Sequence, residues 1–203
     1  AVALTDHGGM YGVVDFYKEA KKEGVKPIIG SEVYVASRSR FDKDANAGDA
    51  ERGHLILLCK NNEGYKNLTK LVSLGFIEGF YYKPRIDKEI LRNYSNGLIG
   101  LSACLAGEIP RAIIENNYDK ARELAIEYNE IFGQGNFFLE MQSNGIDEQV
   151  LVNQGIVRLA RELNIPLVAT NDAHYLTKDD YYSHEVLLCI QTGKKMSDTD
   201  RLS

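Results

Sequence analysis

The sequence predicts an α/β fold of the β/α-barrel type, and two observations lead to this prediction. Apolar runs of strand length alternate with segments of helical periodicity, which is typical of a parallel sheet with helices outside it. Two of the apolar runs also end in side chains of the types that bind metals, at Asp6 and His7 and again at Asp172 and His174. Residues that carry chemistry collect on one rim of a β/α barrel, so we expect both endings to serve one site.

The first part of the chain is predicted to form two strands on either side of an amphipathic helix. Apolar residues recur at helical spacing over 10–23, with lysine and glutamate between them, and Gly24 marks the end of this helix. Continuous apolar runs predict the flanking strands over 1–4 and 25–35. The charged stretch 37–53 has no periodicity, so we expect a loop there.

The rest of the chain continues the same alternation of strands and helices. The later elements are a strand over 55–59, a helix over 61–75, a strand over 98–103, a helical stretch over 109–132 that breaks at Asn116 and Asn117, a strand over 137–141, a helix over 147–163, a strand over 166–170 and a helix over 179–191. Six strands can be counted in this way. No apolar run is long enough to cross a membrane, so we expect no membrane partner.

Composition and charge narrow the class of protein. The 203 residues are 44% hydrophobic and 26% charged, which is ordinary for a soluble globular domain. The net charge of -5 argues against tight binding of nucleic acid by this chain alone, although a partner domain could supply positive charge. Three widely spaced cysteines show no disulfide framework, so a reducing, cytoplasmic compartment is expected. We assign Cys59 and Cys189, which lie inside apolar runs, to the core.

Side chains of the types that bind metals stand at the termini of several predicted strands. The candidates are His7, Glu32, His54, Cys104, Asp172 and His174. Imidazole, carboxylate and thiolate together suit zinc, and imidazole with carboxylate also accepts manganese or iron. Taken singly, each candidate has a plainer explanation. A strand glutamate such as Glu32 is often solvated, a lone Cys104 is often a small buried hydrophobe, and a histidine at a strand end can simply cap a loop.

Five separate motifs resemble those of the polymerase and histidinol phosphatase (PHP) domain. They are LTDHG at 4–8, GSE at 30–32, HLILL at 54–58, SACLAGE at 102–108 and TNDAHY at 170–175. More narrowly, the chain is similar to the form of this domain found near the N terminus of bacterial DNA polymerase III alpha subunits. The segments 80–85 and 184–194 extend this resemblance over essentially the whole chain.

The resemblance implies a seven-stranded β/α barrel whose metals lie at its C-terminal rim. Carried over residue by residue, the six candidates would be the ligands, and the metals would be zinc or manganese, up to three ions in an intact family site. The family also has an earlier strand with a His-x-His motif, which this chain lacks. We therefore expect residues 1–203 to be a single PHP domain cut from a larger replicative polymerase, without its first strand and with fewer metals.

The resemblance also implies a reaction and partners. Asp172, His174 and His7 would carry metal-dependent cleavage of a phosphoester, with 3′ to 5′ exonuclease or proofreading activity. The expected partners are DNA and the remaining polymerase domains, together with replisome subunits such as a sliding clamp and a proofreading subunit. Nucleotidyl transfer would lie outside this chain, because the polymerase active site of such proteins follows this domain.

Weaker candidates surround the predicted ligands. Asp6 either orients a ligand through a hydrogen bond or caps the helix that follows it. Lys83 and Arg85 either contact a phosphate or form an ordinary solvated pair. His184, on the last predicted helix, is assigned to packing or to the surface.

Two other functions are open at this level. In the first, the barrel is catalytically inactive, supports the polymerase and docks a separate proofreading subunit. In the second, the chain is a free-standing phosphatase of small phosphoesters, which fits the barrel chemistry but not the polymerase-like segments around Tyr81 and Gln191. Competent residue types at all six ligand positions favour retained metal binding.

Overall fold

The computed structural model describes residues 1–201, so the last two residues of the predicted domain, Leu202 and Ser203, lie outside the described residues. The chain divides into two compact units, residues 1–170 and residues 171–203. The first unit contains the sheet and six of the described α-helices, and the second contains one further helix.

The first unit is built on one sheet. Its described strands are β1 (Val2–Leu4), β2 (Pro27–Ala36), β3 (Arg52–Cys59), β4 (Arg85–Ile86), β5 (Leu98–Leu101), β6 (Phe137–Met141) and β7 (Leu167–Ala169). The strand order is β1-β2-β3-β5-β6-β7, and β4 pairs with β2 beyond the segment that pairs with β1. This curled half-barrel confirms the predicted α/β class of PHP-barrel type, and all six predicted strands are present.

The prediction of a parallel sheet is wrong for one strand. β3 runs antiparallel to both β2 and β5, whereas the other pairs are parallel. The physical reason lies in the connection from β2 to β3, which contains only the 3-10 turn Ala45–Ala47 and no crossover α-helix. Adjacent parallel strands need such a crossover, and a connection without one returns the chain in the opposite direction.

The helices of the first unit follow the predicted pattern closely. They are α1 (Val13–Lys22), α2 (Asn62–Ile77), α3 (Lys88–Tyr94), α4 (Glu108–Ile114), α5 (Tyr118–Phe132) and α6 (Asp147–Leu163). The predicted break between α4 and α5 is confirmed. Asn116 has a left-handed backbone with φ of 56°, and the Asn117 side chain caps α5 by accepting from the Lys120 amide at 3.1 Å.

The two faces of the sheet have different characters. Val33, Val35, Leu55 and Leu57 belong to the large core that the sheet shares with its helices. Successive side chains of a strand alternate between faces, so Glu32, Tyr34 and His54 lie on the other face with the smaller apolar cluster of Ile56, Leu101 and Ala103. The face that carries the predicted ligands is therefore the one turned away from the helix-packed core.

The second unit contains a 3-10 turn, Lys178–Asp180, and the helix α7 (Tyr181–Thr192), which confirms the helix predicted over 179–191. The Asp180 carboxylate accepts from the Thr177 amide at 2.9 Å and fixes the start of this segment. Cys189 is buried, as predicted. Among residues 1–201, no helix combines the length and the apolar character that crossing a bilayer requires.

Candidate metal centre

The centre of the candidate site is Glu32, whose carboxylate is buried between two imidazoles. Its Oε1 lies 2.6 Å from Nδ1 of His54, and its Oε2 lies 3.6 Å from Nδ1 of His7. The Cys104 Sγ lies 4.0 Å from the same Oε1 and 3.8 Å from Nδ1 of His54. Four of the six predicted ligands, on four separate segments of the first unit, therefore meet at one point.

Backbone pairing between the segment that follows β1 and the middle of β2 places His7 beside Glu32. The Gly8 amide donates to the Glu32 carbonyl at 2.8 Å, and the Glu32 amide donates to the Asp6 carbonyl at 3.0 Å. The Ser31 hydroxyl also donates to the carbonyl of Asp6 at 3.0 Å. Gly8 has a left-handed φ of 63°, and a side chain there would collide with the ring of Tyr34, so glycine is required at this turn.

His54 reaches the site because β3 is antiparallel. It is the third residue of its strand, and Tyr34, near the end of β2, lies opposite it. An antiparallel strand starts at the edge where its neighbours end. The direction of β3, which the sequence analysis missed, thus explains why a histidine near a strand entrance joins ligands from strand exits.

A sharp turn after β5 positions Cys104 in the site. Ala103 has a left-handed backbone with φ of 63°, which costs about 1–2 kcal/mol for a residue other than glycine. The turn is tied to β3, because the His54 amide donates to the Ala106 carbonyl at 3.0 Å. This strained turn positions the Cys104 thiol beside Glu32 and His54.

Tyr34 packs against both imidazoles, and the sequence analysis missed it. Its ring stacks on His7 at a centroid distance of 6.1 Å and meets His54 edge-on at 5.2 Å. Burial raises the pKa of the Tyr34 hydroxyl above its usual value, the Arg52 charge lowers it, and the Glu32 charge raises it, with a net rise. Tyr34 stands two residues after Glu32, so strand alternation could have placed it on the same face.

The donor set fits a divalent metal ion. One ligand atom from each of His7, Glu32 and His54 lies within 4.8 Å of the other two. Donors around a tetrahedral zinc ion are about 3.3 Å apart, so small side-chain rotations would close the group around an ion. The Glu32 side chain is only 6% exposed, whereas the His7 side chain is 43% exposed, which leaves the site open to solvent on the side of His7.

Asp172 and His174 belong to the second unit and lie close to each other. The His174 Nδ1 is 2.9 Å from the Asp172 carbonyl oxygen and 3.9 Å from its Oδ1. Asp172 has a left-handed φ of 49°, and the His174 ring lies 5.8 Å from that of His184. Their participation in the same metal centre stays a prediction from the motif.

Two of the weaker candidates, Asp6 and Lys83, lie near the candidate centre. The Asp6 carboxylate lies beside Gly12, which caps α1, while the Asp6 carbonyl holds Ser31 and Glu32. The Lys83 ammonium lies 6.0 Å from the centroid of the Tyr34 ring, near the candidate centre.

Arg85 is fully buried and has a structural role. Its guanidinium donates to the carbonyls of Gly79, Asp49, Arg40 and Asp42 at 2.7–3.2 Å. Its donors thus hold the loop between β2 and β3 and the turn at Gly79, so this side chain is not part of a solvated pair. Burial lowers its pKa below the usual value, against the nearby charge of Asp49.

Comparison with known proteins agrees with these features. Residues 1–144 match the family model of the PHP domain. The chain is 49% identical to the DNA polymerase III subunit alpha of Borreliella burgdorferi over 201 residues, covering 99% of this chain and 17% of that protein. It is 50% identical to the DNA polymerase III subunit alpha of Thermus aquaticus over 202 residues, covering 99% of this chain and 16% of that protein. The chain thus spans about a sixth of the length of these relatives.

Proposed function

The chain belongs to the PHP domain family, and we propose that its cluster of His7, Glu32, His54 and Cys104 is the centre of a metal-dependent phosphoesterase. The observation that carries this proposal is the buried Glu32 carboxylate, which lies 2.6 Å from one imidazole and 3.6 Å from another. A buried carboxylate is costly unless it is paired or coordinates a metal ion. A divalent cation held by these side chains would supply positive charge beside this carboxylate.

The chain's own residues define how a substrate would approach. The exposed His7 marks the open side of the centre, while Glu32 and Cys104 close the other side. The Tyr34 hydroxyl keeps its proton at neutral pH and can donate to an oxygen of a bound phosphate. Divalent ions held by these side chains would supply Lewis-acid activation of a phosphate oxygen and would lower the pKa of a water molecule.

We further propose that Asp172 and His174 contribute ligands to this centre and that zinc or manganese is the metal. This part of the proposal rests on the TNDAHY motif at 170–175 and on the ligand types. The strained backbone of Asp172, with φ of 49°, also supports it, because such strain is concentrated at functional sites.

The names of the relatives support a proposal about the process in which this chemistry acts. They are DNA polymerase III alpha subunits, and we propose that this chain is the corresponding part of such a subunit, acting in the cytoplasm with DNA, a sliding clamp and a proofreading subunit. The net charge of -5 implies that other parts of the polypeptide supply most of the affinity for DNA. The proposed reaction is removal of nucleotides from a 3′ end.

The test is hydrolysis by the full-length polypeptide that contains this chain. We expect manganese or zinc to support removal of nucleotides from single-stranded or mismatched 3′ ends, and Glu32→Gln or His54→Ala to abolish it. The control is Glu19→Gln, which changes an exposed carboxylate that forms an ion pair with Lys22 on α1.

The structural alternative predicts a different result. If the wild-type polypeptide binds metal and releases no nucleotide, while His54→Ala lowers its thermal stability, the centre holds the barrel together and is not an enzyme.

A further inference from the structure

A polar pocket lies beside the candidate metal centre and shares His54 with it. Its volume is about 370 Å³. The residues that line it are Ala50, Glu51, Arg52, His54, Arg111 and Glu115. Two arginines therefore stand next to a group of ligands that could hold a metal ion.

Arg52 approaches the centre from β3. It lies two residues before His54, so both side chains leave the strand on the same face. Its guanidinium lies 5.4 Å from the centroid of the Tyr34 ring, which itself contacts His54 and His7. Nη1 donates to the Ala50 carbonyl at 2.9 Å, whereas Nε is buried and has no hydrogen-bond partner among residues 1–201. A buried donor without an acceptor is unfavourable, so rotation of the guanidinium toward an acceptor in the pocket would be favoured.

Arg111 completes the basic side of the pocket from α4. Its Nη2 donates to the Arg52 carbonyl at 3.0 Å and to the Ala106 carbonyl at 3.2 Å, which fixes its direction. The ion pairs within residues 1–201 include neither arginine, although Glu51 and Glu115 line the same pocket. Both glutamates are exposed, so water screens their charges more than it screens the half-buried arginines.

We propose that this pocket binds a phosphate group, with Arg52 as its main contact and Arg111 beside it. Guanidinium groups present parallel N–H donors that match two oxygens of a phosphate. The inference rests on the proposed function, because the phosphate would belong to the nucleotide whose ester is cleaved at the adjacent centre. The same chemistry fits the terminal phosphate of a mononucleotide and the internal phosphate of a single strand.

The test measures phosphate binding in EDTA, so that no metal contributes. The full-length polypeptide is titrated with inorganic phosphate, thymidine 5′-monophosphate and a short oligothymidylate. We expect Arg52→Gln to weaken binding about tenfold and Arg52→Lys to weaken it less, because a charge-assisted hydrogen bond is lost or replaced. The control Arg158→Gln removes an exposed arginine that lies over Tyr118, and it should leave binding unchanged.

A second variant keeps the test decisive if Arg52→Gln folds poorly. Glu115→Gln removes a negative charge from the pocket, so it should strengthen binding about twofold to threefold, a gain that misfolding cannot produce. Tighter binding of the monophosphate than of the oligothymidylate assigns the pocket to a terminal phosphate, and the reverse order assigns it to an internal one. Equal binding by wild type, Arg52→Gln and Glu115→Gln would overturn the inference.

The two proposals fail in different ways. Phosphate binding that depends on Arg52, without metal-dependent hydrolysis, would leave the pocket in place and refute the phosphoesterase. Metal-dependent hydrolysis with unchanged phosphate binding in the Arg52 and Glu115 variants would support the phosphoesterase and refute the phosphate pocket.

Discussion

The Glu32 carboxylate lies 2.6 Å from Nδ1 of His54, although the two residues are not direct partners across their antiparallel strands. Ile56 lies opposite Glu32, and Tyr34 lies opposite His54, so the contact is a diagonal one on a single face of the sheet. The diagonal brings the longer side chains together and leaves Tyr34 to pack against both histidines. The candidate metal centre therefore depends on the antiparallel register of β2 and β3.

Replacement of Glu32 by glutamine should remove most of the metal affinity. The amide keeps the shape of the side chain but removes the charge at the point where both histidines and Cys104 approach. We expect the dissociation constant for zinc to rise by more than about tenfold, since loss of an outer hydrogen-bond partner alone costs 10–100-fold. Elemental analysis after dialysis measures this, with Glu19→Gln as the control. Unchanged metal content in Glu32→Gln would show that Glu32 is not a ligand of the metal centre.

Cys59 should resist alkylation in the folded protein. Burial raises the pKa of its thiol from the usual 9.0 to about 11, so at pH 8 only about one molecule in a thousand carries the thiolate. Because the folded pKa exceeds the unfolded one, stability is lost as pH rises from about 9 toward 11, and Cys59→Ala should remove this loss. Iodoacetamide labelling followed by peptide mass analysis checks the first expectation. Rapid labelling of Cys59 before unfolding in guanidinium would contradict it.

Much of the fold and of the candidate site follows from local patterns in the sequence. Helical periodicity and the break at Asn116 and Asn117 predicted the helices, and the ligand motifs predicted the residues that meet at Glu32. The direction of β3 could have been predicted, because a loop was expected over 37–53 and a connection without a crossover helix joins antiparallel strands. β4 was missed because two residues, Arg85–Ile86, are too short to show alternation.

The roles of the arginines were harder to predict than those of the ligands. Arg85 resembles any exposed cation in the sequence, and only the folded loop shows that four carbonyls surround it. Arg52 could have been found, since it precedes His54 by two residues on the same strand. Arg111 could not, because it reaches the pocket from a helix that is distant in sequence.

Two acidic partners of one arginine should contribute unequally to stability. The Arg40 Nη1 lies 3.0 Å from both Asp87 and Glu89, but the Asp87 side chain is 4% exposed and that of Glu89 is 70% exposed. Asp87 also accepts from the Arg40 amide at 2.9 Å and caps α3 through the Ile90 amide at 3.1 Å. Asp87→Ala should lower the free energy of unfolding by about 3 kcal/mol, because it removes the buried partner of the Arg40 guanidinium and leaves the Arg40 and Ile90 amides without their acceptor.

Glu89→Ala is the matched control for this pair. It removes an exposed partner of the same guanidinium, and it should cost less than about 0.5 kcal/mol. Urea denaturation of both variants measures the difference. Equal losses would show that the buried network around Arg40 does not depend on Asp87.

Two glycines on one helix should respond to alanine in opposite directions. At Gly64 in α2, a Cβ would lie 1.9 Å from the Gly97 carbonyl oxygen, a backbone atom that cannot move without displacing the turn before β5. At Gly75, the nearest atoms would be 3.5 Å away, which is ordinary van der Waals contact. Gly64→Ala should therefore destabilise the protein by about 2 kcal/mol or more. Gly75→Ala should stabilise it by about 0.5–1 kcal/mol, because alanine favours the helix and restricts the unfolded chain. Thermal and urea unfolding test both signs, and a loss of stability in Gly75→Ala equal to that in Gly64→Ala would show that contact with β5 does not decide which glycine is required.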